Sequence, residues 1–191
     1  MAARTPPHLI PWPRTRQAPA YAELHAHSDH SLLDGVVSPE LLVARAAEMS
    51  LPALALTDHD AVYGAVRFTL AARELGVKPI LGTELSLGDA NSPGPYHLTL
   101  LVETATGYRN LCRLITLARQ DREKGTALLD KRFLADHVEG LIALSGCRRG
   151  EVPQLLIAKQ FDRALETAKG YARLFGAERF FVELQRHHER G

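Results

Sequence analysis

The chain has few of the features that mark a secreted or membrane protein. Its 191 residues include only two cysteines, too few for a disulfide framework. No apolar run approaches the length of a membrane span, and the first twenty residues contain no continuous apolar core of the kind that a secretory signal needs. The net charge of +1 excludes a strongly basic surface over the whole chain, although not a local basic patch. We therefore expect a cytoplasmic globular protein without membrane contact.

Composition divides the chain into three segments. Residues 1–20 carry five prolines and three arginines without any acidic residue, which predicts an irregular leader. Residues 21–185 have the mixed composition of one globular domain and are long enough to bury a core. Residues 186–191 form a polar tail.

Strand-like and helix-like runs alternate through the central domain. Ser38 followed by Pro39 predicts a helix start, and Gly76 predicts a helix end. Apolar residues at helical spacing recur from Phe161 to Phe175. The predicted strands cover residues 21–25, 53–57, 77–84, 96–102, 141–145 and 179–185. About six strands alternating with helices indicate an α/β fold with a mostly parallel sheet.

Two histidines stand two residues apart at the end of the first predicted strand. On a strand, residues i and i+2 point to the same face, so His25 and His27 can bind one cation together. A lone H-x-H motif is also common as a surface pair. A second cluster, T-D-H-D at residues 57–60, again follows an apolar run, and the two clusters together favour a metal centre.

Further metal-ligating residue types lie near other strand ends. His59, Glu84 and Cys147 each follow or end a predicted strand, as functional groups do in parallel α/β folds. His97 fits this rule less well, because it lies near the start of its strand. Imidazole, carboxylate and thiolate together suit zinc, iron or manganese. Their number exceeds the needs of one ion and predicts a site for two or more metals.

These motifs resemble the polymerase-and-histidinol-phosphatase (PHP) superfamily. The similarity is greatest to the N-terminal PHP domain of bacterial DNA polymerase III alpha-type enzymes. The motifs of residues 25–28, 57–60, 82–84 and 145–147 carry the superfamily resemblance. Residues 107–114, 139–151 and 181–185 resemble the error-prone branch of these polymerases. The resemblance implies an incomplete, distorted (β/α) barrel of PHP type.

The resemblance also implies ligands for up to three divalent ions, which would be zinc, manganese or iron. Glu84 would bridge two ions, and together with His25 and His27 it would form the catalytic core. The implied ligand groups are His25, His27 and Glu84; Glu84, His97 and Cys147; and Asp34 with His59.

Three polar residues near these motifs have less direct roles. Asp58 is expected to orient the site from a second layer rather than to bind metal. Arg148 and Arg149 would either contact phosphate just outside the site or form a solvated pair.

The family pattern further includes an Asp and a His from a later strand, and nothing after residue 185 supplies them. We therefore expect the last strands of the barrel to be missing from this chain. An open sheet edge would favour aggregation or self-association, and the incomplete ligand set would leave weak hydrolysis at most.

The resemblance implies that the chain is part of an error-prone DNA polymerase, a nucleotidyltransferase acting in DNA replication, repair and translesion synthesis. Its partners would be DNA and the remaining polymerase domains. The ligand set itself suits hydrolysis of a phosphoester by water that the ions activate. Three alternatives remain open: a stand-alone PHP phosphatase, a non-catalytic module that metals stabilise, and an amidohydrolase-type barrel, which also begins with H-x-H.

Overall fold

The structure, a computed structural model, describes residues 21–88 and 95–185. The expected leader (1–20), the expected polar tail (186–191) and most of the loop between the third and fourth strands lie outside the described residues. The strands are β1 (Glu23–Ala26), β2 (Ala53–Leu56), β3 (Lys78–Gly88), β4 (Tyr96–Val102), β5 (Leu129–Asp130), β6 (Leu141–Leu144) and β7 (Phe180–Phe181). The helices are α1 (Pro39–Glu48), α2 (Ala65–Leu75), α3 (Ala105–Arg119), α4 (Glu151–Ile157) and α5 (Phe161–Phe175), with a 3-10 helix at Lys131–Leu134.

One curled sheet forms a half-barrel, which confirms the predicted incomplete barrel. Its strand order is β1-β2-β3-β4-β6-β7, and β5 pairs with β3. The β1–β2, β2–β3, β3–β5 and β6–β7 pairs are parallel, whereas β4 runs antiparallel to both β3 and β6. Every strand except β4 therefore points the same way.

Local sequence signals place the helix ends as predicted. The side chain of Ser38 caps α1 by accepting a hydrogen bond from the Leu41 amide, and Pro39 is the first helical residue. Helix α2 ends at Gly76, whose φ of 72° is a left-handed conformation that glycine adopts without steric cost.

Two strand predictions need correction. The last strand is only Phe180–Phe181, and residues 182–185 continue without strand pairing, although residues 179–185 were predicted as a strand. The two-residue β5 was not predicted at all, because so short a segment has no periodic pattern.

The core has two large parts, both outside the concave face of the sheet. One part packs α3, α4 and α5 against β3, β4 and β6, and the other packs α1 and α2 against β2. The concave face carries a smaller apolar cluster centred on Ala55, Leu101 and Leu144. It borders a cavity of about 1250 Å³. Apolar burial thus fixes the strands from the convex side, while the inside of the half-barrel stays accessible.

The loop after β1 is held by one buried carboxylate. Asp58 accepts hydrogen bonds from the Ser28 amide (2.7 Å), the Ser28 hydroxyl (2.8 Å) and the Ser31 hydroxyl (2.7 Å). The Ser31 hydroxyl in turn accepts from the His59 amide. Gly35 closes the loop, since a Cβ there would lie 1.7 Å from the Ser28 carbonyl oxygen. Asp58 therefore orients the backbone that carries His27 and His59.

Replacing Asp58 by Ala should destabilise the protein by about 3 kcal/mol, because three buried donors lose their charged acceptor. Urea unfolding in the presence of a chelator measures this free energy without any contribution from metal binding. Asp29→Ala removes an exposed carboxylate from the same loop and should change stability by less than about 0.5 kcal/mol. Equal effects of the two substitutions would contradict the anchoring role of Asp58.

Candidate metal centre

The predicted ligands come together at one edge of the sheet, where the parallel strands end. The direction of β4 explains why His97 belongs with them. Because β4 is antiparallel to β3 and β6, its first residues lie beside the last residues of its neighbours. His97 pairs with Ser86 of β3 and forms a bridge with Gly150 after β6. The apparent exception in the sequence is therefore a consequence of strand direction.

Glu84 is the centre of the cluster. It lies on β3, is only 1% exposed, and pairs with Thr99 of β4 on one side and with His59 on the other. Its Oε2 atom lies 3.5 Å from His25 Nε2, 3.3 Å from His27 Nε2 and 3.4 Å from His59 Nδ1. Its Oε1 atom lies 2.9 Å from His97 Nδ1. One buried carboxylate thus faces four imidazoles.

The ligand atoms form two groups, each compact enough for one ion. The first consists of His25, His27 and Glu84, and the second of His59, Glu84 and His97. The His25 and His27 ring centroids are 5.0 Å apart, as the H-x-H spacing predicts. Since Glu84 belongs to both groups, its place fits the predicted bridging role.

The spacing and chemistry of these atoms fit a divalent cation. Two ligands bound tetrahedrally at zinc-like distances lie about 3.4 Å apart, close to the separations of three imidazole nitrogens from Glu84 Oε2. Glu84 Oε1 is buried, and apart from the approach of His97 Nδ1 at 2.9 Å it has no hydrogen-bond partner among the described residues. A buried, unsatisfied carboxylate oxygen is costly unless a cation binds it.

The remaining predicted ligands flank these groups. Asp34 Oδ2 lies 2.9 Å from His59 Nε2, so the pair proposed for a further ion is in contact. The Asp34 side chain is 55% exposed and the Glu84 side chain 2%. Cys147 Sγ lies 3.6 Å from His97 Nδ1. Gly146 turns the chain toward this position with a φ of 81°.

The ionisable side chains of the site strongly shift one another's pKa values. Burial by itself would raise the pKa of Glu84, but His25, His27 and His97 outweigh it and hold that pKa far below its usual range. Burial opposes the charged form of His25, yet Glu183 and Glu84 raise its pKa to about 9. Burial and the nearby Glu84 charge raise the pKa of the Cys147 thiol to about 12. The site therefore contains a fixed negative charge that attracts cations.

The three residues with less direct predicted roles, Asp58, Arg148 and Arg149, lie around the ligand cluster rather than in it. Asp58 contacts serines of the first loop, as described above, and belongs to neither ligand group. Arg148 and Arg149 are exposed on the loop that follows Cys147. The Arg149 carbonyl accepts a hydrogen bond from the His97 amide, so this loop is fixed to the site through its backbone.

One residue of the site was missed from the sequence. Glu183 Oε1 lies 2.8 Å from His25 Nδ1, and both side chains are nearly buried. The signal was present, because Glu183 lies near the end of the last predicted strand, residues 179–185. The family pattern includes an Asp and a His from a later strand, and it gives a Glu at this position no role.

One family profile and several known proteins are similar to this chain. The sequence profile of the PHP domain family matches residues 23–187. The error-prone DNA polymerase of Mycolicibacterium paratuberculosis is 44% identical over 180 residues, which cover 90% of this chain. The DNA polymerase III subunit alpha of Saccharopolyspora erythraea is 35% identical and covers 87% of this chain. A candidate metal-dependent phosphoesterase from Bifidobacterium adolescentis is a solved structure with 27% identity and a TM-score of 0.44, covering 56% of this chain and 36% of its own.

The matches cover most of this chain but only a small part of the two polymerases. The chain spans only 16% of the length of each of the two polymerases. Within the described part of the chain, no helix has the length and apolarity that crossing a membrane requires. The family match, in contrast, covers most of the sequence, and the chain therefore belongs to the PHP domain family.

Proposed function

We propose that this chain is the PHP region of an error-prone, polymerase III alpha-type DNA polymerase and that its site is a multi-metal phosphoesterase centre. The observation that carries the proposal is Glu84, a buried carboxylate within 3.5 Å of four imidazoles. Shared carboxylates of this kind are typical of sites that hold two ions close together. The similarity to two much longer polymerases supports the assignment to a polymerase rather than to a stand-alone phosphatase.

Each ligand group has a place in this proposal. His25, His27 and Glu84 would hold one ion and form the catalytic core. Glu84 would share a second ion with His97 and Cys147, and Asp34 with His59 would hold a further ion. The mixed nitrogen, oxygen and sulfur donors suit zinc, manganese or iron. Divalent ions bound here supply Lewis acidity and a water molecule that is acidic enough to react near neutral pH.

The chain's own residues would bind and orient the substrate. Glu84 stays negative and holds the surrounding imidazoles in place. The exposed guanidinium groups of Arg148 and Arg149 lie on the loop that contacts His97, where they would bind the phosphates of a DNA strand. The natural substrate would then be a phosphodiester of DNA near the mouth of the half-barrel.

The activity of the whole polymerase also belongs to this proposal. Its nucleotidyl transfer would take place in domains outside this chain, in DNA replication and in repair with translesion synthesis. The PHP region would contact DNA and those domains in the cytoplasm. Self-association through an open sheet edge stays a prediction that the structure does not test.

A second candidate function is a metal-stabilised structural module without catalysis. The burial of Glu84 and His97, which are 1% and 4% exposed, favours it, because buried ligands stabilise a fold more readily than they meet a substrate. His27 and Asp34 are more accessible, so a substrate can still approach the cluster from its outer side.

Glu84→Gln should remove most of the metal from the protein, because Glu84 belongs to both ligand groups. His97→Ala should remove only part of it, since His97 belongs to one group. Elemental analysis after reconstitution with zinc or manganese measures the ions per chain. Glu166→Gln changes an exposed carboxylate and should keep the wild-type content. Full metal content in Glu84→Gln would contradict the ligand map.

Hydrolysis of a chromogenic phosphodiester and of a single-stranded DNA 3′ end should be weak and should require manganese or zinc. His27→Ala should lower the rate at least about tenfold, because a loosened site loses the alignment of the reacting groups. Rates with added metal and with a chelator provide the measurement. Metal binding without any hydrolysis would favour the structural module, and hydrolysis that a chelator leaves unchanged would contradict the metal centre.

The double substitution Arg148→Ala, Arg149→Ala should weaken binding of a fluorescent single-stranded DNA and lower its salt dependence. Each lost phosphate contact should reduce the slope of log affinity against log salt by about 1. Fluorescence anisotropy at several salt concentrations measures both quantities. The double substitution Arg163→Ala, Arg173→Ala removes equal charge from exposed positions on α5 and should have a much smaller effect. Equal slopes for both variants would leave the arginine pair without a role in phosphate binding.

A further inference from the structure

Glu183 contacts the side of the His25 ring that faces away from Glu84. Its Oε1 atom lies 2.8 Å from His25 Nδ1, whereas His25 Nε2 faces Glu84 Oε2 at 3.5 Å. The two side chains are 158 residues apart in sequence and only 5% and 11% exposed. One imidazole thus connects the bridging carboxylate with a second acidic residue.

The protein holds Glu183 in place through its neighbours. The Glu183 amide donates to the Ser145 hydroxyl at 2.9 Å, and the Ser145 amide donates to the Phe181 carbonyl at 2.9 Å. Gln185 Nε2 donates to Glu183 Oε1 at 2.6 Å. These contacts come from the segment after β7 and from the end of β6, not from the ligand cluster. The carboxylate is therefore fixed by the fold.

The chemistry of the contact determines where the His25 proton lies. An ionised carboxylate only accepts hydrogen bonds, so Nδ1 must carry the proton in this contact. The Nε2 atom faces Glu84, and once it loses its own proton its lone pair is available to a cation. The other neighbours of Nδ1 are more distant, with Thr99 Oγ1 at 3.3 Å and Gln185 Nε2 at 3.4 Å.

We propose that Glu183 is a positioning residue that fixes the tautomer and the ring orientation of His25 for metal binding through Nε2. This inference rests on the proposed metal centre. A carboxylate on the far nitrogen of a metal-binding imidazole raises the basicity of the ligating nitrogen and restricts the ring.

The grouping of the ligand atoms separates this role from direct coordination. Glu183 belongs to neither compact ligand group, both of which centre on Glu84. His27 differs from His25, because its Nδ1 atom is buried and has no hydrogen-bond partner in the described part of the chain.

The test compares Glu183→Ala, Glu183→Gln and Glu178→Ala. Glu178 is exposed shortly before β7, so its substitution removes a carboxylate from the same segment without reaching the site. Zinc affinity is measured by competition with a chromogenic chelator, and ion stoichiometry by elemental analysis at saturating zinc. Glu183→Ala should weaken zinc binding about 10- to 100-fold at unchanged stoichiometry. Glu183→Gln, whose amide oxygen still accepts a hydrogen bond, should lose less, and Glu178→Ala should match the wild type.

A second readout follows the proton itself. In zinc-loaded protein, NMR of labelled histidine should show a His25 Nδ1–H proton that is shifted downfield and exchanges slowly with water. Glu183→Ala should lose this protection and Glu183→Gln should retain part of it. Circular dichroism identifies any variant that fails to fold, in which case Glu183→Gln provides the comparison.

The outcomes distinguish the two proposals. Wild-type protein that binds no zinc would overturn the metal centre itself. Wild-type binding with equal affinity and equal Nδ1–H protection in Glu183→Ala would overturn the positioning role alone. Loss of one ion at saturating zinc in both Glu183 variants would show that Glu183 is a ligand, and would also overturn the positioning role.

Discussion

The negative charge of Glu84, in the second half of β3, is the constraint on which the rest of the site depends. A buried carboxylate without compensation costs several kcal/mol, so charge or hydrogen bonds must be supplied around it. The fold supplies four imidazoles from β1 and the residue after it, from the loop after β2 and from β4. They reach Glu84 because β3 is a central strand with neighbours on both sides. Only a central position allows one carboxylate to be surrounded in this way.

The reversal of β4 completes this arrangement. In a purely parallel sheet, a residue at the start of a strand would lie at the opposite edge from the site. Because β4 is antiparallel to both neighbours, His97 reaches the same edge as Glu84 and Cys147. The long β3 pairs in parallel with β2 over its first half and antiparallel with β4 over its second half. It therefore joins the parallel and the antiparallel part of the sheet.

Much of the fold could be predicted from local signals, because helix caps and periodic apolar runs act over a few residues. Ser38, Gly76 and the stripe from Phe161 to Phe175 set the helix ends as expected. Strand direction could not be predicted, since an antiparallel partner is a long-range property with no local pattern. The same reason explains why β5 was missed and why the last strand proved shorter than expected.

In the site, too, residues that belong to motifs could be predicted, whereas long-range contacts between side chains could not. His25, His27 and Glu84 could be identified from H-x-H and G-x-E motifs and from a family resemblance, and they do lie together. The roles of Asp58 and Glu183 depend on partners 27 to 158 residues away, which no motif specifies. Residues that bind a cation are restricted in type, whereas those that orient the ligands need only a suitable acceptor at the right place.

Burial decreases from Glu84 to Asp34, and this gradient would order the proposed ion sites. Glu84 and the ring of His25 are held by protein contacts before any ion binds, so little further ordering is needed there. Asp34, which contacts His59, lies on an exposed loop where Leu33 adopts a φ of 74° that is unusual for a residue with a side chain. An ion held there is more accessible to water and has fewer fixed ligands. In the proposed centre an ion held by Asp34 and His59 would therefore exchange most readily, and the residues around Glu84 would set the geometry of the centre.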